Sequence, residues 1–166
     1  MRVFSNTTPL LALSSIGRLH LLEQLFGTVS VASSVVDECR EGGRIAVPNL
    51  TAIPWIQVQP DEEATSLPVL FELDRGEKQT LLLAIRQRAD LVLIDERLGR
   101  RTAEYLGLKF TGTLGILLKA RAAGLIPSFL NAAMAMKEQG IYYNSALIHR
   151  LAMLVGEMRR EAPPLS

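Results

Sequence analysis

The sequence is poor in the residues that build disulfide frameworks and zinc sites. Its 166 residues include one cysteine, Cys39, and two histidines, His20 and His149, in distant segments. A single cysteine excludes an internal disulfide and any cysteine-based zinc cage, and two distant histidines argue against a histidine-rich metal site. Zinc fingers, small disulfide-rich scaffolds and thiol redox motifs are therefore excluded.

Long apolar runs and an excess of one charge are also missing. Eighteen Lys and Arg against 17 Asp and Glu leave a formal charge of +1, so any nucleic-acid surface must be local or built around metal ions. The first apolar stretch is broken at 6–9, which excludes a signal-peptide core. No segment approaches the roughly 18 to 20 apolar residues of a membrane span. We therefore expect a cytoplasmic protein.

What is present is an alternation of short apolar runs and helical patterns. With 48% apolar residues, the chain can form one domain with a sizeable core. Strands are predicted at 3–4, 29–32, 91–94 and 108–110, and 55–58 is a candidate strand without an assigned partner. Helices are predicted from 9 to 26, over 33–39, 77–85, 96–106, 114–123, 127–139 and 145–158, with Thr7 and Thr8 as caps of the first. The pattern predicts a three-layer α/β/α sandwich around a parallel sheet, extra helices at the C-terminus, a domain over 1–158 and a flexible tail over 159–166.

Polar residues stand where the predicted strands end. Asn6 closes the first strand, and Asp95 and Glu96 follow the strand at 91–94, while Glu38 and Glu77 lie on helices. In parallel sheets, sites form beyond the carboxyl ends of the strands, so these side chains are expected to converge. Hard oxygen ligands without histidine or thiolate suit Mg²⁺ or Mn²⁺, which serve phosphodiester cleavage by activating water and neutralising charge.

Each of these residues has a purely structural alternative. Glu77 follows an aspartate by three positions, as in a capping box. Asp95 and Glu96 match the negative charge that a helix N-terminus favours. Glu38 fits a solvated helix face, and Asn6 an ordinary turn.

Taken together and in order, the segments resemble a known family. The segments that carry the resemblance are FSNTTPLLALSSIGRLHLLEQLFG, VVDEC, LDRGEKQTLLLAI, DLVLIDERLGRR and LGLKFTGTLGILLKARAAGLI. They resemble the PIN domain, in a prokaryotic branch related to the VapC-type toxins of toxin–antitoxin pairs. The resemblance runs from about residue 3 to about residue 155.

The resemblance implies a metal-dependent ribonuclease, a hydrolase with Mg²⁺ or Mn²⁺ at an acidic site. Its catalytic positions fall on Asn6, Glu38, Glu77 and Asp95. Its metal ligands fall on Asn6, Glu77, Asp95 and the neighbouring Glu96.

Two threonines of a small polar turn also stand beside this site in the resemblance. Thr111 and Thr113 are expected to hold a water or a phosphate there, with an ordinary turn as the alternative.

Position 6 departs from the family pattern, which has aspartate there. Asparagine keeps one carbonyl oxygen for a metal but loses the charge, and its NH₂ donors face a cation unfavourably. Even changes outside the ligand set cost about 10- to 100-fold at metal sites, so weakened or abolished activity is expected. Asn6 is either a natural divergence or an engineered replacement of aspartate. The rival function is a catalytically silent PIN scaffold that binds RNA or a protein partner.

Cationic residues surround the proposed site, and RNA is the expected partner. The candidate substrate-binding residues are Arg75, Lys78, Arg97, Arg100 and Arg101. The last three share a helix face by their spacing, and a solvated face with salt bridges to Glu104 is the alternative. One Trp, three Tyr and five Phe give little sign of a base-stacking platform.

Two protein partners are expected as well. The apolar helices at 114–139 and 145–158 favour a homodimer. The resemblance to toxins adds a cognate antitoxin. A small-molecule α/β enzyme is a third alternative, but the chain lacks a glycine-rich phosphate loop.

Overall fold

Five parallel strands form one central sheet. The computed structural model describes residues 1–41, 43–63 and 67–159. The strands are β1 (Val3–Ser5), β2 (Val29–Ala32), β3 (Ile56–Gln59), β4 (Leu91–Leu93) and β5 (Phe110–Thr111). They lie in the order β3-β2-β1-β4-β5, and all neighbours are parallel. The strand order reverses between β1 and β4, so the switch point lies at their carboxyl ends.

Helices cover this sheet and confirm the α/β/α architecture. Within the described residues they are α1 (Thr7–Ser15), α2 (Leu21–Phe26), α3 (Ser33–Glu41), α4 (Arg75–Arg86), α5 (Arg97–Tyr105), α6 (Thr113–Ala122), α7 (Phe129–Glu138) and α8 (Ser145–Leu154). Short 3-10 turns occupy Leu50–Ala52 and Pro68–Leu70. Helix α4 packs on β1, β2 and β4, while α2 and α3 pack on β2 and α6 packs on α1 and α2. No described helix is long and apolar enough to cross a membrane.

The strands flanking the switch point are buried, which explains their apolar sequences. Every residue of β1 and β2 is buried, and two of the three residues of β4 are. Strands covered on both faces are continuous apolar runs rather than alternating ones. The apolar run at 91–94 was predicted as a strand on this ground. Buried apolar side chains from the sheet and from all eight described helices pack into one core cluster.

The first predicted helix is wrong in its extent and its cap. The chain forms α1 and α2 instead of one helix, because Gly17 adopts φ of 67°, a left-handed conformation that ends a helix. The N-cap residue of α1 is Asn6, and Thr7 and Thr8 lie inside the first turn. The last helix ends at Leu154 rather than 158.

Two uncertain segments have a place in the fold. The candidate strand at 55–58 corresponds to β3, which pairs with β2 along four residues at the edge of the sheet. The last strand is β5, shifted from the predicted 108–110 to Phe110–Thr111. The tail predicted for 159–166 lies outside the described residues except for Arg159.

Candidate active site

Asn6 lies at the switch point of the sheet. Its backbone N–H donates to the carbonyl of Leu93 at 2.9 Å, which extends the pairing of β1 with β4 by one residue. The side chain is 2% exposed. Its Nδ2 donates to Oε2 of Glu96 at 3.2 Å, whereas its Oδ1 is buried without a hydrogen-bond partner. A buried carbonyl oxygen without a hydrogen-bond donor is energetically unfavourable, so this atom is suited to accept a hydrogen bond or to bind a cation.

Glu96 is oriented towards Asn6 rather than towards its own helix. It is the N-cap residue of α5, but its side chain makes no capping hydrogen bond. Instead Oε2 accepts from Asn6 and Oε1 accepts from Oγ1 of Thr8. The side chain therefore joins β4 to the start of α1, a role that helix capping does not explain.

Asp95 is fixed by three donors. Its Oδ1 accepts from the backbone N–H of Thr113 at 2.7 Å, and its Oδ2 accepts from the Thr113 hydroxyl at 2.6 Å and from the Tyr143 hydroxyl at 3.0 Å. Burial, followed by the negative charge of Asp95, raises the pKa of Tyr143, so its hydroxyl remains a donor. A Cβ at Gly112 would lie 2.7 Å from Oδ1 of Asp95, so the close approach requires glycine.

Thr113 is fully buried and acts on Asp95 through both its N–H and its hydroxyl. Thr111 lies at the end of β5, and its Oγ1 is so close to Gly115 that a Cβ at position 115 would collide with it. Of the two threonines expected at a water or phosphate, Thr113 is thus placed to position Asp95.

Glu38 lies at the junction of α1, α3 and α4. Its Oε1 accepts from the backbone N–H of Gly76 at 2.9 Å, and its Oε2 accepts from the Thr7 hydroxyl. A Cβ at Gly76 would lie 2.5 Å from Oε2 of Glu38. The solvated-face alternative for Glu38 therefore does not hold, because its carboxylate is bonded on both oxygens.

Glu77 is a buried acid among other acids. Asp74 caps α4 by accepting from the Glu77 N–H at 2.8 Å, and the Glu77 side chain belongs to a residue 6% exposed. Burial, followed by the negative charges of Asp74 and Glu96, raises the pKa of Glu77 to about 7. Half of the expected capping box is therefore present, and the Glu77 carboxyl is electrostatically coupled to the site.

The four acids surround one end of the sheet, but they do not form a preformed metal-binding site. In the part of the chain that the structure describes, no group of three or more His, Cys, Asp or Glu side chains is placed to hold a metal ion. Nor does any described lysine or arginine form an ion pair with Glu38, Glu77, Asp95 or Glu96. The site thus concentrates oxygen ligands and negative charge that no described cation balances.

The order of these acids on a five-stranded parallel sheet agrees with a comparison against protein families. A family model for the PIN domain matches residues 2–157. The chain belongs to the PIN-domain family. No curated protein and no solved structure matches it. The resemblance inferred from the sequence is therefore confirmed at the level of the family, whose fold is a nuclease fold.

Two of the five candidate cationic residues of this PIN domain lie near Glu77. Arg75 donates to Oδ2 of Asp61 through Nη2 at 2.9 Å and through Nε at 3.2 Å, so much of its charge is already paired. Lys78 is half-buried on α4. Asp61, which sequence reasoning missed, also accepts from Ser33 and Ser34 at the start of α3. An aspartate 27 residues from the helix start carries no local signal.

The other three arginines lie on α5 beside Asp95. Arg97, Arg100 and Arg101 are exposed and form no ion pair within the described residues, so the salt bridges to Glu104 that the structural alternative requires are not found. They line a groove of about 840 Å³ that reaches Asp95. We call it the arginine groove; its other lining residues include Glu104, Phe110, Tyr142, Tyr143, Asn144 and Leu147.

The aromatic residues at the arginine groove were not predicted from the sequence. Their low number gave little sign of a stacking platform, yet Phe110, Tyr142 and Tyr143 all line this groove. The available signal was the IYYN segment between two predicted helices.

Proposed function

We propose that this PIN domain is a metal-dependent endoribonuclease, which hydrolyses RNA phosphodiester bonds at the acidic end of its sheet. The observation that carries the proposal is the unbalanced negative charge around Glu77. Its carboxyl is buried, its pKa is raised to about 7, and the charges of Asp74 and Glu96 contribute to that rise. A site of this kind favours a bound cation, because a cation removes the repulsion between the acids.

The residues present fit Mg²⁺ or Mn²⁺ by their chemistry. The unpartnered Oδ1 of Asn6 and the carboxylates of Glu77, Asp95 and Glu96 are hard oxygen ligands, and they would hold the ion. When bound, the ion supplies an activated water and neutralises charge on the scissile phosphate.

The remaining chemistry belongs to the side chains. The raised pKa of Glu77 belongs to the site without an ion, and a cation held by Glu77 would lower that pKa, so Glu77 would act as a ligand. Glu38 is held by its two donors, so we assign it to orienting the site, whereas the three donors of Asp95 orient that carboxylate for its ligand role. No residue of the chain needs to act as a covalent nucleophile.

The asparagine at position 6 is expected to weaken catalysis. Its Nδ2 donates to Glu96 and thereby takes up a carboxylate oxygen that a cation would use. The test is RNA cleavage by the parent chain and Asn6→Asp, each with Mn²⁺, with Mg²⁺ and with chelator. The matched control is the double variant Asn6→Asp, Asp95→Asn, purified identically to reveal contaminating nuclease.

Three outcomes are distinguishable. Metal-dependent cleavage by Asn6→Asp, without cleavage by the parent or the control, supports the acidic mechanism with the parent as its disabled form. Equal cleavage by the parent and Asn6→Asp would remove position 6 from the mechanism. Absence of cleavage by every version over a broad RNA panel would overturn the nuclease proposal.

A silent PIN scaffold that binds RNA or a protein partner is the second candidate. The Asn6–Glu96 hydrogen bond favours it, because an amide donor already satisfies one carboxylate without an ion. A thermal shift in millimolar Mg²⁺ or Mn²⁺ that vanishes in Asp95→Asn supports the nuclease, and no shift supports the scaffold.

We further propose that the chain is a VapC-related toxin, and that a cognate antitoxin neutralises it in the cytoplasm. The support is the sequence resemblance to that branch. Induced expression of Asn6→Asp should arrest bacterial growth, whereas the double variant with Asp95→Asn should not. Normal growth with soluble, RNA-cleaving Asn6→Asp would contradict the toxin role.

A further inference from the structure

The arginine groove combines three features that a nucleic-acid strand uses. It carries three guanidinium groups without a described ion pair, it contains exposed aromatic surface, and it borders Asp95. The lining also includes the acids Asp95 and Glu104, so the three arginines leave it only a small positive excess. Phosphates are attracted by such groups, whereas base contacts require flat apolar surfaces nearby.

Tyr142 supplies such a surface. Its side chain is 84% exposed, although the two residues that follow it are anchored. Tyr143 donates its hydroxyl to Asp95 at 3.0 Å, and the side chain of Asn144 accepts from the Leu147 N–H at 3.1 Å, which caps α8. The connection from α7 to α8 is therefore fixed on the side facing Asp95. The ring of Tyr142 faces solvent, and because the backbone beside it is already fixed, binding a ligand to the ring costs little further backbone entropy.

Phe110 and Arg100 form a second flat surface in the same groove. The Arg100 guanidinium lies over the Phe110 ring, 5.2 Å from its centroid. This cation–π contact orients the guanidinium plane while leaving Arg100 exposed. An oriented guanidinium can bind a phosphate through two donors or stack on a base.

We propose that the arginine groove is a subsite for single-stranded RNA, in which an unpaired base stacks on Tyr142 while Arg97, Arg100 and Arg101 contact the phosphates on either side. The inference rests on the proposed function, since it makes the groove the path by which the strand reaches Asp95. It adds a residue that selects unpaired over paired RNA, because a base within a duplex has no free face for Tyr142.

The three cationic groups favour an RNA strand over a protein partner for this groove. Tyrosine and arginine also occur at protein interfaces, but three arginines without a described ion pair, in a groove that reaches Asp95, match the spaced phosphates of a strand. Stacking tolerates every base, so the subsite is expected to prefer unpaired strands without reading their sequence.

The test is binding of a fluorescent single-stranded RNA of about eight nucleotides, within the site sizes of single-strand-binding folds. Anisotropy is measured in chelator so that nothing is cut. Tyr142→Ala should weaken binding about 5- to 100-fold, the range of one lost base stack. Tyr142→Phe should bind within about twofold of the parent, since its ring is intact. Tyr105→Ala is the matched control, because Tyr105 is 78% exposed but does not line the groove.

Two further probes separate base stacking from charge. An abasic strand should bind the parent and Tyr142→Ala equally. A blunt RNA duplex should also bind these two proteins equally. Arg101→Gln should weaken binding to intact and abasic strands alike, because it removes a phosphate contact. Circular dichroism establishes that each variant is folded.

The outcomes are separable from those of the nuclease proposal. Binding that depends on Tyr142 in a chain that never cuts RNA supports the subsite and opposes the nuclease. Equal binding by the parent and Tyr142→Ala overturns the stacking role, even if the chain cuts RNA. Failure of the parent to bind any single strand at low salt overturns the subsite and leaves the groove to a protein partner.

Discussion

The amide of Asn6 has two opposite effects at the switch point. Its Nδ2 stabilises the Glu96 carboxylate by a hydrogen bond at 3.2 Å, while its Oδ1 remains buried and unpartnered. An aspartate here would place two carboxylates at hydrogen-bond distance with no proton between them. Asn6→Asp thus replaces the hydrogen-bonded pair of Asn6 and Glu96 by two carboxylates, a site that requires a cation.

We expect Asn6→Asp to be less stable than the parent in chelator at neutral pH, by about 1–3 kcal/mol, the cost of an unsatisfied buried group. Adding Mn²⁺ should stabilise Asn6→Asp more than it stabilises the parent. Urea unfolding with and without metal measures both effects. Asn6→Ala is the control, since it loses the hydrogen bond without adding charge and should gain nothing from Mn²⁺. Equal stability of Asn6→Asp and the parent in chelator would contradict the expectation.

Glu77 is expected to make stability depend on pH. Folding raises its pKa from 4.5 to about 7, so the folded state binds more protons than the unfolded state between these values. The contribution of Glu77 to the free energy of unfolding is therefore full below pH 4.5 and falls by about 3 kcal/mol as the pH rises through 7. Glu77→Gln cannot ionise and should escape this loss.

The measurement is the unfolding free energy of Glu77→Gln minus that of the parent, without metal. The difference should shift in favour of Glu77→Gln by about 2–3 kcal/mol between acidic and mildly alkaline solution. Because the same variant is compared across pH, it serves as its own control for lost packing. A difference that does not change with pH would show that the Glu77 carboxyl ionises equally in both states.

At the scale of elements, carboxylates from distant segments fix the starts of helices. Glu157, just after α8, accepts from the Phe129 N–H at 2.8 Å, the Leu130 N–H at 2.9 Å and the Ser128 hydroxyl at the start of α7. Burial alone would raise the pKa of Glu157, but these bonds and the contact with Arg121 lower it. The C-terminal segment is therefore held to α7 by charge.

Replacing this carboxylate should weaken the fold. We expect Glu157→Gln to lose about 1–3 kcal/mol at pH 7, because it keeps one acceptor oxygen but loses the charge. The lowered pKa means that the stabilisation is present above the ordinary pKa of 4.5 and is lost as the pH falls below it. Urea unfolding at pH 7 and in acid should show the difference shrinking. A loss that is equal at both pH values would indicate packing rather than charge.

Helix α8 also has an exposed apolar face. Leu154 is 81% exposed, and Leu147 and Met153 are each 37% exposed. Leu151 and Leu154 lie three positions apart on one helix face, whereas Leu147 belongs to the arginine groove. We expect this face to pack against a second copy of the chain, which makes the homodimer anticipated from the sequence. Leu154→Glu should shift the mass from dimer to monomer in light scattering, with Leu98→Glu, on α5, as the control. A monomeric parent would contradict the expectation.

At the scale of the whole molecule, its small net charge makes RNA binding a local property. With three arginines on phosphates, the logarithm of the binding constant should fall with the logarithm of salt at a slope of about −2. Arg101→Gln should reduce that slope by about 0.7, and Arg159→Gln, at the far end of the described chain, should leave it unchanged. A slope near zero would mean that phosphates are not bound.

The sequence alone determined the architecture, because strands and helices leave local periodic patterns. Short, largely apolar runs marked β1, β2 and β4, and the polar residues that follow the strands predicted a site at the sheet edge. It also determined the family, through segments that cover nearly the whole chain. What local pattern could not show was the break at Gly17 between α1 and α2, where one residue adopts a left-handed conformation.

The partners of each acid were decided by the tertiary structure. Asn6 and Glu96 are 90 residues apart, and Asp95 and Tyr143 are 48 apart, so no local periodicity relates them. Tyr142 is presented beside Asp95 because the two residues that follow it, Tyr143 and Asn144, are anchored by their hydrogen bonds. The composition gives only the number of such residues. Long-range packing decides which of them come into contact, and the chemistry proposed for this site depends on those contacts.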